Sequence, residues 1–110
     1  MRKRTVAVLL AVVVAAVVAA PVLAVTKITG TVGPGFTISM KKPTKAGKYT
    51  LVVSDKSGIH NFHLKGPGVN VSTTVGFTGS KTFKITLKKG KYTFVCDPHA
   101  STMHGSFTIK

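Results

Sequence analysis

From residue 25 onward, Gly and Pro interrupt the chain every eight to twelve residues, and the stretches between them are rich in Val, Ile, Thr, Phe and Tyr. Short β-formers separated by turn residues at that spacing define a many-stranded, all-β pattern. The punctuation predicts strands near 25–31, 36–41, 47–54, 60–65, 73–77, 81–87, 91–96 and 105–109. No window of ten or more residues in this part has a helical apolar period. Alternation gives the facing of each strand. In "GKYTFVCD", Tyr92, Phe94 and Cys96 share one face, and Lys91, Thr93 and Val95 the other. In "KTFKITLKKGKYTF", Phe83, Ile85 and Leu87 point inward, and the lysines outward. Eight short strands with distant partners suggest a two-sheet antiparallel Greek-key β-sandwich.

The residues before 25 follow a different rule. Arg2, Lys3 and Arg4 precede an unbroken small-apolar run over 6–20, followed by Pro21 and "VLA". A charged start, an apolar middle and small residues at 22 and 24 read as an export segment, a signal peptide over residues 1–24 cut after Ala24. An uncleaved anchor is the alternative, because residues 6–25 carry no charge and are long enough to span a bilayer. No cysteine lies near Ala24 to accept a lipid. Either way, residues 25–110 form one domain outside the cytoplasm, periplasmic, secreted or membrane-tethered. Its size suffices for a core burying roughly 60 to 65% of the unfolded chain's surface.

Charge narrows the partners. Sixteen basic residues stand against two acidic ones, for a formal net charge of +14; thirteen lysines follow Ala24, with Asp55 and Asp97 as the only carboxylates. Such an excess attracts acidic protein surfaces, anionic membranes or cell-wall polymers. Equally, it can serve only to keep the protein soluble. Nucleic acid is not expected, since no Arg follows Arg4 and no aromatic and basic stripe suits base stacking.

"CDPHASTMH", from position 96, holds the chain's single cysteine, two of its four histidines and one of its three methionines. One cysteine makes no internal disulfide, so in an exported domain it is a free thiol or a ligand. In a tight loop, the spacing Cys96-x2-His99-x3-Met103 brings thiolate, imidazole and thioether to one point. "SGIHNFHLKGPG" offers the missing nitrogen. Phe62 and Leu64 face the core, which aligns His60 with them and sends His63 to the other side as a surface or sheet-face histidine. His60, Cys96 and His99 with a weaker Met103 are two nitrogens, a thiolate and a long axial thioether, the donor set of blue-copper electron-transfer sites. Zinc would accept the first three but gain little from the thioether. Met40 fills a core gap.

With these residues in view, the chain resembles a cupredoxin of the plastocyanin and amicyanin type. "IHNFHL" and "YTFVCDPHASTMHG" carry the resemblance, supported by "VGPGF" and "GKYTLVVSDKS". It implies one copper per chain, His60 as the upstream nitrogen ligand and Cys96 as the thiolate. It also implies His99 as the solvent-edge ligand through which electrons pass, Met103 as the axial ligand, and Asn61 as the bridge to the Cys loop. Pro34 and Phe36 are then candidates for an apolar docking surface around the exposed His edge. The expected function is an electron carrier between redox partners, working as a monomer and not an enzyme; copper storage or delivery is the alternative. A cysteine-histidine hydrolase would need a substrate cleft and an oriented base, and leaves the methionine unexplained.

The loop also departs from the family. The gap between His99 and Met103 lies between those of plastocyanins and amicyanins. His104 stands directly beside Met103 and is a rival axial donor. Asp97 replaces a residue that is often a neutral Ser or Thr; beside Cys96 it is placed to pair with Asn61 across the site or to support the donors from behind. Pro98 removes one backbone donor and is expected to hold Asp97 extended.

Overall fold

The computed structural model describes residues 24–110. The export segment read over residues 1–24 lies, apart from Ala24, outside the described residues. None of the described residues forms a helix long and apolar enough to cross a membrane.

Eight strands form two four-stranded sheets. They are β1 (Thr26–Val32), β2 (Ile38–Met40), β3 (Gly47–Asp55), β4 (His63–Gly66), β5 (Val69–Ser72), β6 (Gly79–Leu87), β7 (Gly90–Val95) and β8 (His104–Ile109). One sheet has the order β2-β1-β3-β6 and the other β5-β4-β7-β8. Strict alternation builds the core between them. Ile28 and Val32 of β1, Leu51 and Val53 of β3, and Leu87 of β6 meet Leu64, Tyr92, Phe94 and Ile109 from the facing sheet, all buried. Each such aliphatic or aromatic side chain contributes on the order of 1.5–3 kcal/mol by leaving water. The inward row of β7 continues through Tyr92 and Phe94 to Cys96, as the alternation requires. Phe83 is only partly buried, with the Lys81 ammonium 5.4 Å from its ring centroid.

The sandwich has one parallel pair, β1 with β3, in register from Thr26 opposite Tyr49 to Val32 opposite Asp55. The short β2 turns back antiparallel along β1. The chain then passes to the far side of β1, where β3 runs the same way as β1. Side-chain alternation has a period of two in either orientation, so it carries no sign of this.

Two segments differ from the spacing rule. Residues 60–62 precede β4 instead of belonging to it. The strand expected at 73–77 is a loop, and the pairing falls on β5. "GPGV" explains the shift: Pro67 and Gly68 form a two-residue turn in which Gly68 has φ +70°, and Gly66 pairs directly with Val69. Thr73 then leaves the ladder because its hydroxyl and its amide are both engaged with Phe62.

β1, β3 and β7 run toward one end of the sandwich, and β6, β4 and β8 start from it. The loops at this end are 33–37, 56–62, 73–78 and 96–103. The chain crosses between the sheets in two of them, 56–62 and 73–78. The residues singled out from the sequence lie on three of these loops.

Candidate metal centre

The loop after β7 is tied at both ends. The Cys96 amide donates to the Met103 carbonyl at 3.0 Å, and the Met103 amide to the His99 carbonyl at 2.8 Å. Asp97–His99 forms a single 3₁₀ turn with Pro98 in its first turn, closed by the His99 amide donating to the Cys96 carbonyl at 3.0 Å. Pro suits that turn, since the amide it lacks would have had no partner; the extended backbone expected at Asp97 falls instead on Cys96, at φ −92° and ψ 114°, and Asp97 opens the turn. Cys96 and Met103 are therefore buried beneath the turn, and His99 is left half-buried on top.

His60 arrives from the crossover at 56–62 and is 1% exposed. Its Nδ1 stands 3.0 Å from the Nδ1 of His99, and Cys96 Sγ is 3.6 Å from each. The point equidistant from the three atoms is about 2 Å from each, a metal-to-imidazole bond length. Two imidazole nitrogens and a sulfur converging on so small a triangle fit a cation. Among the described residues, this is the group of His, Cys and carboxylate donors able to hold a metal ion. Met103 is 0% exposed at the base of the same loop. His104 is exposed, and its Nδ1–H donates to the Ala100 carbonyl at 2.8 Å, so strand alternation carries the rival donor outward.

Long-range hydrogen bonds fix the donors from behind. Asn61 spans the two loops: its Nδ2 donates to Asp97 Oδ2 at 2.8 Å, and its Oδ1 accepts the Asp97 amide at 2.8 Å. The Asn61 amide donates to Cys96 Sγ at 3.5 Å. Asp97 and Asn61 thus pair across the site, one of the two arrangements expected of them. His63 joins them, its Nδ1 2.9 Å from Asp97 Oδ1 and its Nε2 2.6 Å from Asn70 Oδ1. The sequence placed His63 off the core face, which it occupies, without suggesting this partner. Partial burial pushes the Asp97 carboxyl up. The Asn61 and His63 hydrogen bonds, and the charges of His63 and Lys65, outweigh burial and hold it below its ordinary 3.8.

A second hub was not visible in the sequence. Asp55, 2% exposed, ends β3. Its Oδ1 accepts the Ser57 amide at 3.0 Å, and its Oδ2 accepts the Thr73 hydroxyl at 3.5 Å. Thr73 Oγ1 accepts the Phe62 amide at 2.9 Å, and the Thr73 carbonyl accepts from Asn61 Nδ2 at 3.3 Å. The loop carrying His60 is thus held by its neighbours on both sides. The available signal was the rarity of acids: both carboxylates of the chain serve this end of the sandwich.

Above the triangle, Phe36 is 60% exposed and packs edge-on against both rings, at 5.1 Å from His60 and 5.0 Å from His99. Ile59 and Val75, from the neighbouring loops, are the other large apolar side chains exposed at this end.

Residues 31–110 match the family model of copper-binding proteins of the plastocyanin/azurin family. The chain belongs to that family: it is a cupredoxin, and the family and the His, Cys, His cluster together make its cofactor one type-1 copper. Among solved structures it is similar to reduced rusticyanin, with 23% identity and a TM-score of 0.58 over 76% of this chain and 78% of that one. Rusticyanin from Thiobacillus ferrooxidans gives 22% identity and a TM-score of 0.56 over 76% of each chain. Dithionite-reduced auracyanin from Roseiflexus castenholzii gives 20% identity and a TM-score of 0.56 over 79% of this chain and 98% of that one. At these identities the likeness is one of fold. No curated protein sequence matches the chain significantly.

Proposed function

We propose that this protein carries single electrons outside the cytoplasm between larger redox partners. The observation that carries the reading is the buried triangle of His60, Cys96 and His99 lying directly under a half-exposed His99 ring. Copper bound there supplies a one-electron Cu(II)/Cu(I) couple, and a mixed nitrogen and sulfur donor set serves both states. His60, Cys96 and His99 would hold the metal, with Met103 as the axial donor. Asn61, Asp97 and Thr73 lock the two loops, so the donors keep their places when the charge changes. Phe36 covers both imidazoles against water. His99 alone connects this interior to the surface and serves as the electron's exit.

The partner covers Phe36, Ile59 and Val75 with an apolar face, and its acidic margin meets Lys56 and Lys81 at the rim. The large positive charge of the chain speeds that encounter in a salt-dependent manner. Export rests on the charged start at 2–4, the apolar segment at 6–20 and the small residues at 22 and 24. The carrier reading over catalysis rests on the family and on donors buried beneath Phe36; a surface depression of about 390 Å3 lies elsewhere, over β3 and β6 near Val25, Tyr49 and Ile85, remote from the histidines.

Stopped-flow comparison of the copper-loaded protein tests this. Oxidation of the reduced form by a soluble one-electron acceptor should outrun copper loss to a competing chelator by at least about a hundredfold. Copper leaving faster than electrons would mark a storage or delivery protein and overturn the carrier reading.

A further inference from the structure

The end of the sandwich opposite the histidines has its own character. Its loops are 41–46, 67–68 and 88–89, together with the start of β1 and the end of β8. Lys45 and Lys48 flank the entry to β3, Lys88, Lys89 and Lys91 surround the β6–β7 turn, and Lys110 follows β8. All six are exposed. The Lys110 amide donates to the Thr44 carbonyl at 3.2 Å, which binds the end of β8 to the loop carrying Lys45. Both acidic side chains, Asp55 and Asp97, lie at the other end, so no acidic side chain is present here to neutralise these ammonium groups. The positive charge is thus polarised along the sandwich and not spread evenly over it.

We infer that this lysine end is a docking face for an anionic lipid bilayer, which holds the domain with its copper end turned away from the membrane. The chain's own layout selects a bilayer as the occupant where the segment before Ala24 is kept as an uncleaved anchor, the alternative to cutting after Ala24. Ala24, directly preceded by the apolar segment, borders a surface depression lined by Lys45 and Lys48. Val25, 55% exposed, adds an apolar side chain at the same place. Basic side chains beside an apolar segment are the arrangement that anionic headgroups attract, with lysine stems lying along the apolar layer and ammonium groups on the phosphates. The copper end, with Phe36 and the His99 edge, then faces a partner arriving from solution. The inference concerns charge and not metal, and stands whether or not the carrier reading does.

Co-sedimentation of the full chain with vesicles tests it, using phosphatidylglycerol mixed with phosphatidylcholine against phosphatidylcholine alone. The expected result is strong, salt-sensitive binding to the anionic vesicles. The triple variant Lys88→Gln, Lys89→Gln, Lys91→Gln should lose roughly a hundredfold in partitioning. Lys56→Gln, Lys65→Gln, Lys81→Gln, with the same change in net charge and the same apolar segment, should lose less than about fivefold. Only side chains change, so the Lys88 amide still reaches the Tyr92 hydroxyl at 2.8 Å and the turn is preserved. Hydrogen exchange on the vesicles should slow at 41–48 and 88–91 and stay unchanged at 33–37. Equal losses for the two triples, no preference for phosphatidylglycerol, or protection at 33–37 overturns the inference. Capture by soluble polyphosphate with vesicles left unbound also overturns it.

Discussion

The two ends of the sandwich are closed by the same device used for different purposes. At the lysine end, the Tyr92 hydroxyl accepts the Lys88 amide at 2.8 Å and lies 3.0 Å from the Pro67 carbonyl, so one buried ring pins two turns. That ring stacks on Phe107 at 5.2 Å, and a Cβ on Gly66 would come within 2.1 Å of it. At the copper end, Asn61 and Thr73 also satisfy loop backbone, at Asp97 and Phe62, but there the loops they join carry the metal donors. A side chain that pins turns bearing no donor stabilises the fold alone. One that joins donor-bearing loops also fixes the distance between a ligand on one and a ligand on the other, as Asn61 does for His60 and Cys96. Stability and site geometry should therefore separate under mutation.

Tyr92→Ala should produce the largest effect. It removes a fully buried aromatic ring together with its turn contacts, for a loss of about 3–5 kcal/mol in urea unfolding. The copper spectrum of the folded fraction should stay unchanged, and a shifted spectrum would break the separation of the two ends. Thr73→Val is smaller in stability, about 1–3 kcal/mol, because the buried Phe62 amide loses its acceptor. Here the spectrum should shift, since the segment carrying His60 and Asn61 is freed.

Asp97→Asn should be smallest. The carboxylate is half exposed, so its contribution at neutral pH is about 0.2–1 kcal/mol. Its folded pKa is depressed below 3.8, so that contribution is complete above the unfolded value and disappears as pH falls through the folded one. Urea midpoints of wild type and variant should accordingly converge as pH falls below the ordinary carboxylate range. A constant gap would show that the pair acts through shape and not charge.

Strand positions were legible where both neighbours alternate, as in "GKYTFVCD", because burial on one face writes a period of two into the sequence. The parallel pairing of β1 and β3 was not, since alternation is blind to strand direction. His60 is buried as expected, yet not as part of a strand. The bonds of Asn61 and Thr73 hold its segment inside before the ladder begins, so the right facing came from a rule that starts to apply only three residues later, at His63. The ligand candidates on the Cys loop could be read because their spacing is local. The contributions of Asp55, Thr73 and His63 rest on contacts between loops far apart in sequence, and no local pattern announces them.

Metal analysis with visible and EPR spectra of the copper-loaded protein tests the central claim most directly. The account predicts one copper per chain and an intense thiolate-to-Cu(II) absorption with a type-1 EPR signal, absorption and signal both abolished in Cys96→Ser. A protein that stays colourless with Cu(II), or a Cys96→Ser variant that keeps the band, would contradict it.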